Sequence, residues 1–334
     1  MSISMEPQDW LSVICKEYLQ EFIPSGGAAV KFAVPMDCLD HKALLGELQQ
    51  AAEANGYLFV SVDAALTKAH MIDRLFHTIA RQVPWDDLAS AFLRSTLLEA
   101  HFNVPEDRKD FGLAQLASLN GQTEGEVRRS INERLKSRLF RDYAMTQEFR
   151  IAMLRLCQTQ LDPQEVTASK ADTIKEWLRG ELRLISALKS ALIFEKIGRH
   201  NGRHMLFSLS HWLHATGKAG LVIGLDISRF LEAGRPKEPD GSLYYSMPAV
   251  LDGYEVLRQF IDDTDELQFC LIVVIAPPSF LTPDERRGLS SYNALKLRIW
   301  DEVRDRQRPN PLSSLIRLSR RTETVNPQAR GGNP

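Results

Sequence analysis

Short apolar runs separate long stretches of helical periodicity along this chain. Ala28-Ala-Val-Lys-Phe-Ala-Val-Pro35, Gly220-Leu-Val-Ile-Gly-Leu-Asp226 and Phe269-Cys-Leu-Ile-Val-Val-Ile-Ala276 are apolar at nearly every position and rich in branched side chains. Runs of that length and composition predict strands buried on both faces, the habit of parallel sheets. Tyr57–Asp63 and Leu315–Leu318 complete the predicted strands. Trp10, Leu11, Ile14, Tyr18 and Phe22 recur at helical spacing, so a helix is expected over residues 8–22, ending before Pro24-Ser25-Gly26-Gly27. Asp40 is placed to cap a helix through Ala54, with Leu44, Leu45 and Leu48 facing inward and Asn55-Gly56 as its stop. Strand, helix and strand within about 35 residues form a βαβ unit, whose handedness makes the strands parallel.

From His70 to Gly217 the pattern is almost wholly helical, broken near Pro84, Pro105, Gly121, Pro163, Gly198 and Gly202. That is too much helix for one crossover, so residues 84–200 are expected to be a helical insertion. Gly234–Ser246 is a polar loop followed by a helix around Val250–Ile261. The expected division is an N-terminal helix in residues 1–23, a sheet domain over 24–320 and a disordered tail over 321–334, which has almost no apolar content.

Composition narrows the partners. The 334 residues are 44% hydrophobic, enough for a full core, and 41 basic against 43 acidic side chains leave a net charge of −2. No global field draws such a chain to nucleic acid or membrane, so any contact with DNA must be local. Cys15, Cys38, Cys157 and Cys270 are far apart with no metal spacing, as expected of buried thiols in a reducing cytoplasm. Met1–Asp9 has no basic segment leading into an apolar core, and no apolar run approaches a membrane span. The expected location is cytoplasmic.

The chemistry centres on Asp226. In P-loop NTPases a strand of this kind delivers an Asp to nucleotide-bound Mg²⁺, usually with a Glu beside it to activate water. Here the neighbour is Ile227, which neither accepts a proton nor orients water.

Taken in order, Trp177-Leu-Arg-Gly-Glu181, Gly217–Asp226, Leu271–Ala276 and Ser291-Tyr-Asn-Ala-Leu-Lys-Leu-Arg298 resemble the ATP-binding protein family of BREX-type phage-defence systems. The similarity covers roughly residues 20–320 and is carried by the order and spacing of the motifs. It implies an α/β fold with a P-loop NTPase-like, AAA+-type parallel sheet. Members often carry a further C-terminal region, and this sequence is expected to stop where that region would begin.

The same resemblance aligns Met36-Asp-Cys-Leu-Asp-His-Lys-Ala43 with the phosphate loop Gly-x-x-x-x-Gly-Lys-Ser/Thr. Lys42 keeps the lysine. Met36 and His41 replace the glycines, Ala43 replaces the Mg²⁺-binding hydroxyl, and Asp37 and Asp40 place negative charge where phosphates would lie. Ala276, Pro277 and Pro278 stand where a polar residue would sense the γ-phosphate. Lys42 and Asp226 are thus expected to be remnants of a nucleotide site, with no cofactor required and ATP with Mg²⁺ only weakly held. A rearranged loop built from Ser25-Gly26-Gly27 and Lys31 is disfavoured because these residues precede their strand.

Other features each have an ordinary explanation. His200, His204, His211 and His214 share one side of a helix, but about 1.5 Å per residue spreads them too far for a single metal ion. No metal site is expected. Arg128, Arg129, Arg134, Lys136, Arg138 and Arg141 are candidate nucleic-acid contacts, or a solvated face balanced by Glu126, Glu133 and Asp142. Arg286, Arg287 and Arg298 are candidates to reach a neighbour's nucleotide in trans, or to pair locally with Asp284, Glu285 or Asp301. Tyr244, Tyr245 and Tyr254 mark a partner surface or part of the core.

The function expected from all this is a hydrolysis-deficient ATPase-like subunit of a bacterial anti-phage defence complex. It would act in a hetero-oligomer with other defence-system proteins, and on DNA if the basic run is used. The rivals are a working P-loop ATPase and a DNA-binding adaptor.

Overall fold

The computed structural model describes residues 4–36, 39–105, 111–161, 165–234, 241–300 and 309–320. Helix α1 (Pro7–Val13) starts with a proline in its first turn and continues as wider π-type winding through Phe22. The buried positions Ile14, Leu19 and Ile23 are five and four residues apart, and wider turns bring them onto one line. Strand β1 (Ala28–Pro35) follows, then α2 (His41–Ala54), capped by the Asp40 carboxylate, which accepts the Lys42 amide at 2.9 Å. Gly56, at φ +81°, turns the chain into β2 (Leu58–Asp63).

The segment between β2 and the next strand holds α3 (Ile72–Arg81), α4 (Trp85–Glu99), α5 (Leu113–Asn120), α6 (Glu124–Leu135), α7 (Gln147–Thr159), α8 (Glu165–Arg179) and α9 (Gly202–Ala215). A capping box between Thr123 and Glu126 starts α6. Strand β3 (Leu221–Asp226), α10 (Met247–Asp262), β4 (Cys270–Ile275), α11 (Asn293–Ile299) and β5 (Leu315–Leu318) complete the order. Ser246 caps α10, which starts three residues earlier than the apolar spacing suggests.

Among the described residues the strands form one parallel sheet in the order β2-β3-β4-β1-β5. The crossover from β1 to β2 runs one way along the sheet and those from β2 to β3, β3 to β4 and β4 to β5 run the other, so right-handed connections fall on opposite faces. On one face Trp10, Ile14 and Leu19 join Leu44 and Leu48 of α2 over Val222, Leu271 and Val273. On the other face Val30, Phe32, Ile223 and Ile272 belong to a continuous apolar cluster that extends through the helices between β2 and β3 and through α10 and α11. The outer edge of β5 is covered by Met5, whose amide donates to the Arg317 carbonyl while its own carbonyl accepts from the Ser319 amide, both at 2.9 Å.

Two tyrosines offered as a partner surface belong to the core. Tyr245 and Tyr254 are buried and pack around Phe230, while Tyr244 is exposed. Cys157 and Cys270 are buried, Cys15 is half-buried, and Cys38 lies outside the described residues, as does the tail at 321–334. Burial raises both buried thiols, that of Cys270 to about 12, so neither is a nucleophile near neutrality.

Lys31 is a buried cation inside β1. Its ammonium donates to the Leu312 carbonyl at 2.6 Å and sits 4.5 Å from the Tyr18 ring centre. Burial lowers it from 10.5 to about 8. Below pH 8 both folded and unfolded chains hold the proton and the burial penalty is complete. Between pH 8 and 10.5 the unfolded chain binds the proton that the folded chain has released, so this group makes stability rise with pH. Relative to Lys31→Met, the wild type is therefore expected to gain roughly 2–3 kcal/mol across that window in urea unfolding. A pH-independent difference between the two proteins would contradict it.

Candidate functional site: the crevice at the strand ends

Strands β1 and β4 are neighbours whose outgoing connections leave in opposite directions over opposite faces. In open parallel sheets this switch point opens a crevice beyond the carboxyl ends of the strands. Asp226 ends β3 there, in register with Asp63 of β2 and Ile275 of β4. The amino end of α2 follows β1 at the same edge.

Asp226 is engaged by the protein itself. Its Oδ2 lies 3.3 Å from His41 Nδ1, and its Oδ1 accepts the Ser228 amide at 2.8 Å, closing a tight turn after β3. The Ser228 hydroxyl is 3.2 Å from the same His41 Nδ1. Burial pushes the Asp226 carboxyl up, but hydrogen bonds from His41 and from the hydroxyl and amide of Ser228 together hold it below the usual carboxylate range. It is an ionised acceptor at neutral pH. Aspartate, histidine and serine together invite comparison with a nucleophilic triad, but here carboxylate and hydroxyl meet one ring nitrogen. A base that activates a serine must use one nitrogen for each, so this cluster is not arranged for nucleophilic catalysis.

Lys42 is exposed, and it is His41, not Lys42, that contacts Asp226. The Lys42 amide, a donor a phosphate at this helix end would use, is already bonded to the Asp40 carboxylate. Asp37 and Cys38 lie outside the described residues. Ile227 is fully buried beside Asp226, and Ala276 is fully buried at the end of β4 with its amide bonded to Ala33. Neither position offers a polar group to the crevice.

The arginines divide. Arg287 is buried, with Nη1 donating to the Phe230 carbonyl at 3.2 Å and Nη2 to the Tyr245 carbonyl at 3.0 Å. It cannot extend to a neighbour, and the acids beside it in sequence are not what its guanidinium grips. Arg298 pairs with Asp262, a partner on α10 that adjacency did not suggest. Arg286 is exposed.

Within the basic run, Arg138 is not part of a free face: its guanidinium binds Glu99 and Thr96 at 3.0 Å and lies over the Phe92 ring. Arg128, Arg129, Arg134, Lys136 and Arg141 are exposed. The histidine stripe is dispersed. His200 precedes α9, His204 packs on Phe207, His211 bonds Asp142 at 2.8 Å and His214 stacks on Phe269. Asp142 is an acid that proximity in sequence had not offered. Among the described residues no group of His, Cys, Asp and Glu is arranged to hold a metal, and no helix is long and apolar enough to cross a membrane.

These features define an all-parallel α/β protein with an ionised carboxylate at the switch point of its sheet. The family model described as BREX system ATP-binding protein BrxC/D matches residues 112–325, well over half of the chain, and the chain belongs to that family. The match contains β3 with Asp226 and the arginines after β4, while β1, α2 and β2 precede it. No curated protein and no solved structure matches the chain.

Proposed function

We propose that this chain is an ATPase-type subunit of a BREX defence system in which a P-loop NTPase-like fold is kept as a scaffold for partner proteins and no longer hydrolyses ATP. The observation that carries it is the occupancy of Asp226. Where a nucleotide-binding crevice would hold a cation, His41 and Ser228 already satisfy the carboxylate. The remaining parts agree: Asp40 takes the amide a phosphate would use, the position for a water-activating acid is buried Ile227, and the end of β4 is buried Ala276. Electrostatic stabilisation of phosphoryl transfer needs a metal and donors aimed at the phosphates, and these substitutions remove both. Family membership supports other BREX proteins as the partners, in a hetero-oligomer.

A thermal-shift titration with ATP and Mg²⁺ tests this, because a ligand that binds only the folded state at about 100 times its Kd stabilises it by about 2.7 kcal/mol. The expected result is no change in Tm up to millimolar nucleotide for wild type, Lys42→Ala and Asp226→Ala alike. A dose-dependent rise in the wild type, lost in both variants, would establish a working nucleotide site instead.

A further inference from the structure

A cavity of about 270 Å³ lies away from the crevice residues, where α5, α6, α7 and α8 meet the turn Ile185–Ala191. Its polar wall carries three cations, Arg128 on α6, Arg155 on α7 and Lys170 on α8, and no carboxylate of the described residues lines it. Its apolar wall is Leu113, Leu161 and Ile174, all buried. Arg155 is held in place by a relay: Nη1 donates to Gln158 Oε1 at 3.0 Å, and Gln158 Nε2 donates to Asn132 Oδ1 at 2.9 Å. Its Nε is buried without a hydrogen-bond partner. A buried donor on a charged group costs stability unless something accepts from it. An anion in the cavity would accept from that donor and meet the charges of Arg155 and Lys170.

A second, shallower groove runs along the same helix. Arg128 and Asn132 line both, and Arg129 and Lys136 continue the positive lining, with Glu133 as the acid there. The cations therefore form a strip, Lys170, Arg155, Arg128, Arg129 and Lys136, that is longer than the cavity. A free phosphorylated metabolite has no use for the outer members. A nucleic-acid backbone does, because its phosphates repeat. The size of the cavity suits one nucleotide, with phosphate on the cations and the base against Leu113, Leu161 and Ile174. A base inside a stacked duplex cannot enter such a pocket, whereas an unpaired one can.

We infer that this chain binds single-stranded nucleic acid across α6 to α8, seating one nucleotide in the cavity at Arg155 and Lys170 and laying its neighbours over Arg129 and Lys136. The site shares no residue with the crevice and stands whether or not ATP binds there. Sequence pattern pointed to the basic run, but Arg155 and Lys170, which build the pocket, lie outside it.

Fluorescence anisotropy of the full chain with labelled twelve-nucleotide oligothymidylate, oligouridylate and a twelve-base-pair duplex tests this. Expected are binding of at least one single strand and duplex binding at least tenfold weaker. The slope of log affinity against log salt is expected near −3, from about 0.7 per phosphate contacted over four or five contacts. Arg155→Ala with Lys170→Ala should lower single-strand affinity at least tenfold while leaving Tm within a few degrees of wild type. Arg129→Ala with Lys136→Ala should flatten the salt slope by one to two and keep the preference over duplex. The better of the two single strands identifies DNA or RNA as the ligand. Absence of binding at 50 mM salt, equal binding of duplex, or free thymidine monophosphate competing as well as the oligomer would each overturn the proposal.

Discussion

Gly220→Ala is expected to cost about 3–5 kcal/mol of stability, read as a lower midpoint in urea unfolding. Gly220 enters β3 at φ +150°, and a Cβ there would stand 2.2 Å from the carbonyl oxygen of Phe269. That oxygen cannot withdraw easily. It accepts the Leu221 amide at 2.9 Å and the Ser210 hydroxyl at 3.1 Å, and the Phe269 ring is stacked on His214 with centres 3.7 Å apart. Phe269 itself has φ +55°, so its peptide is already committed to an uncommon conformation. Gly217 provides the control, since its φ is +90° but a Cβ would meet nothing within 4 Å. Gly217→Ala should therefore show backbone strain alone, about 1–2 kcal/mol. Equal losses in the two variants would mean that the contact with Phe269 is not what demands glycine.

Arg287→Met is expected to lose about 2–4 kcal/mol, because it strands the carbonyls of Phe230 and Tyr245 in the core. The same guanidinium fixes the segment whose backbone receives the Tyr254 hydroxyl on the Arg287 carbonyl, so the loss should couple to Tyr254→Phe in a double-mutant cycle. The trans-acting role predicts the opposite pattern: unchanged stability, and a drop in ATP hydrolysis when the variant is mixed with an active partner subunit. Melting curves and a mixed ATPase assay on one preparation separate the two.

The elements were legible where a single local cause decides them. The limits of β1 and β5 follow from their apolar runs, and the start of α2 from Asp40, because a capping carboxylate acts within two residues of itself. The strand order was not legible, since apolar runs do not say which neighbour each will choose. The same limit applies at the site. Asp226 stood out as a polar residue closing a buried strand, yet its partner His41 is 185 residues away, and nothing local says that a histidine at a helix start turns back onto it. Ser228, two residues on, carried a weak local signal as a residue able to close an Asx-type turn. The acids beside Arg287 in sequence suggest surface pairing, whereas its guanidinium grips carbonyls brought in from Phe230 and Tyr245. The cavity draws on four helices and a turn, and no periodicity in one of them reveals it.

The seam between Met5 and β5 has a consequence for how the molecule assembles. The hydroxyls of Ser4 and Ser319 meet across it, joining positions 315 residues apart in sequence. Contacts of such long range gain nothing until almost the whole chain is in place, and their loop-closure entropy is among the largest the fold must overcome. With only four residues in β5, the seam should close last during folding and open first in native-state hydrogen exchange. Each opening uncovers the outer edge of β5, the strand that borders β1.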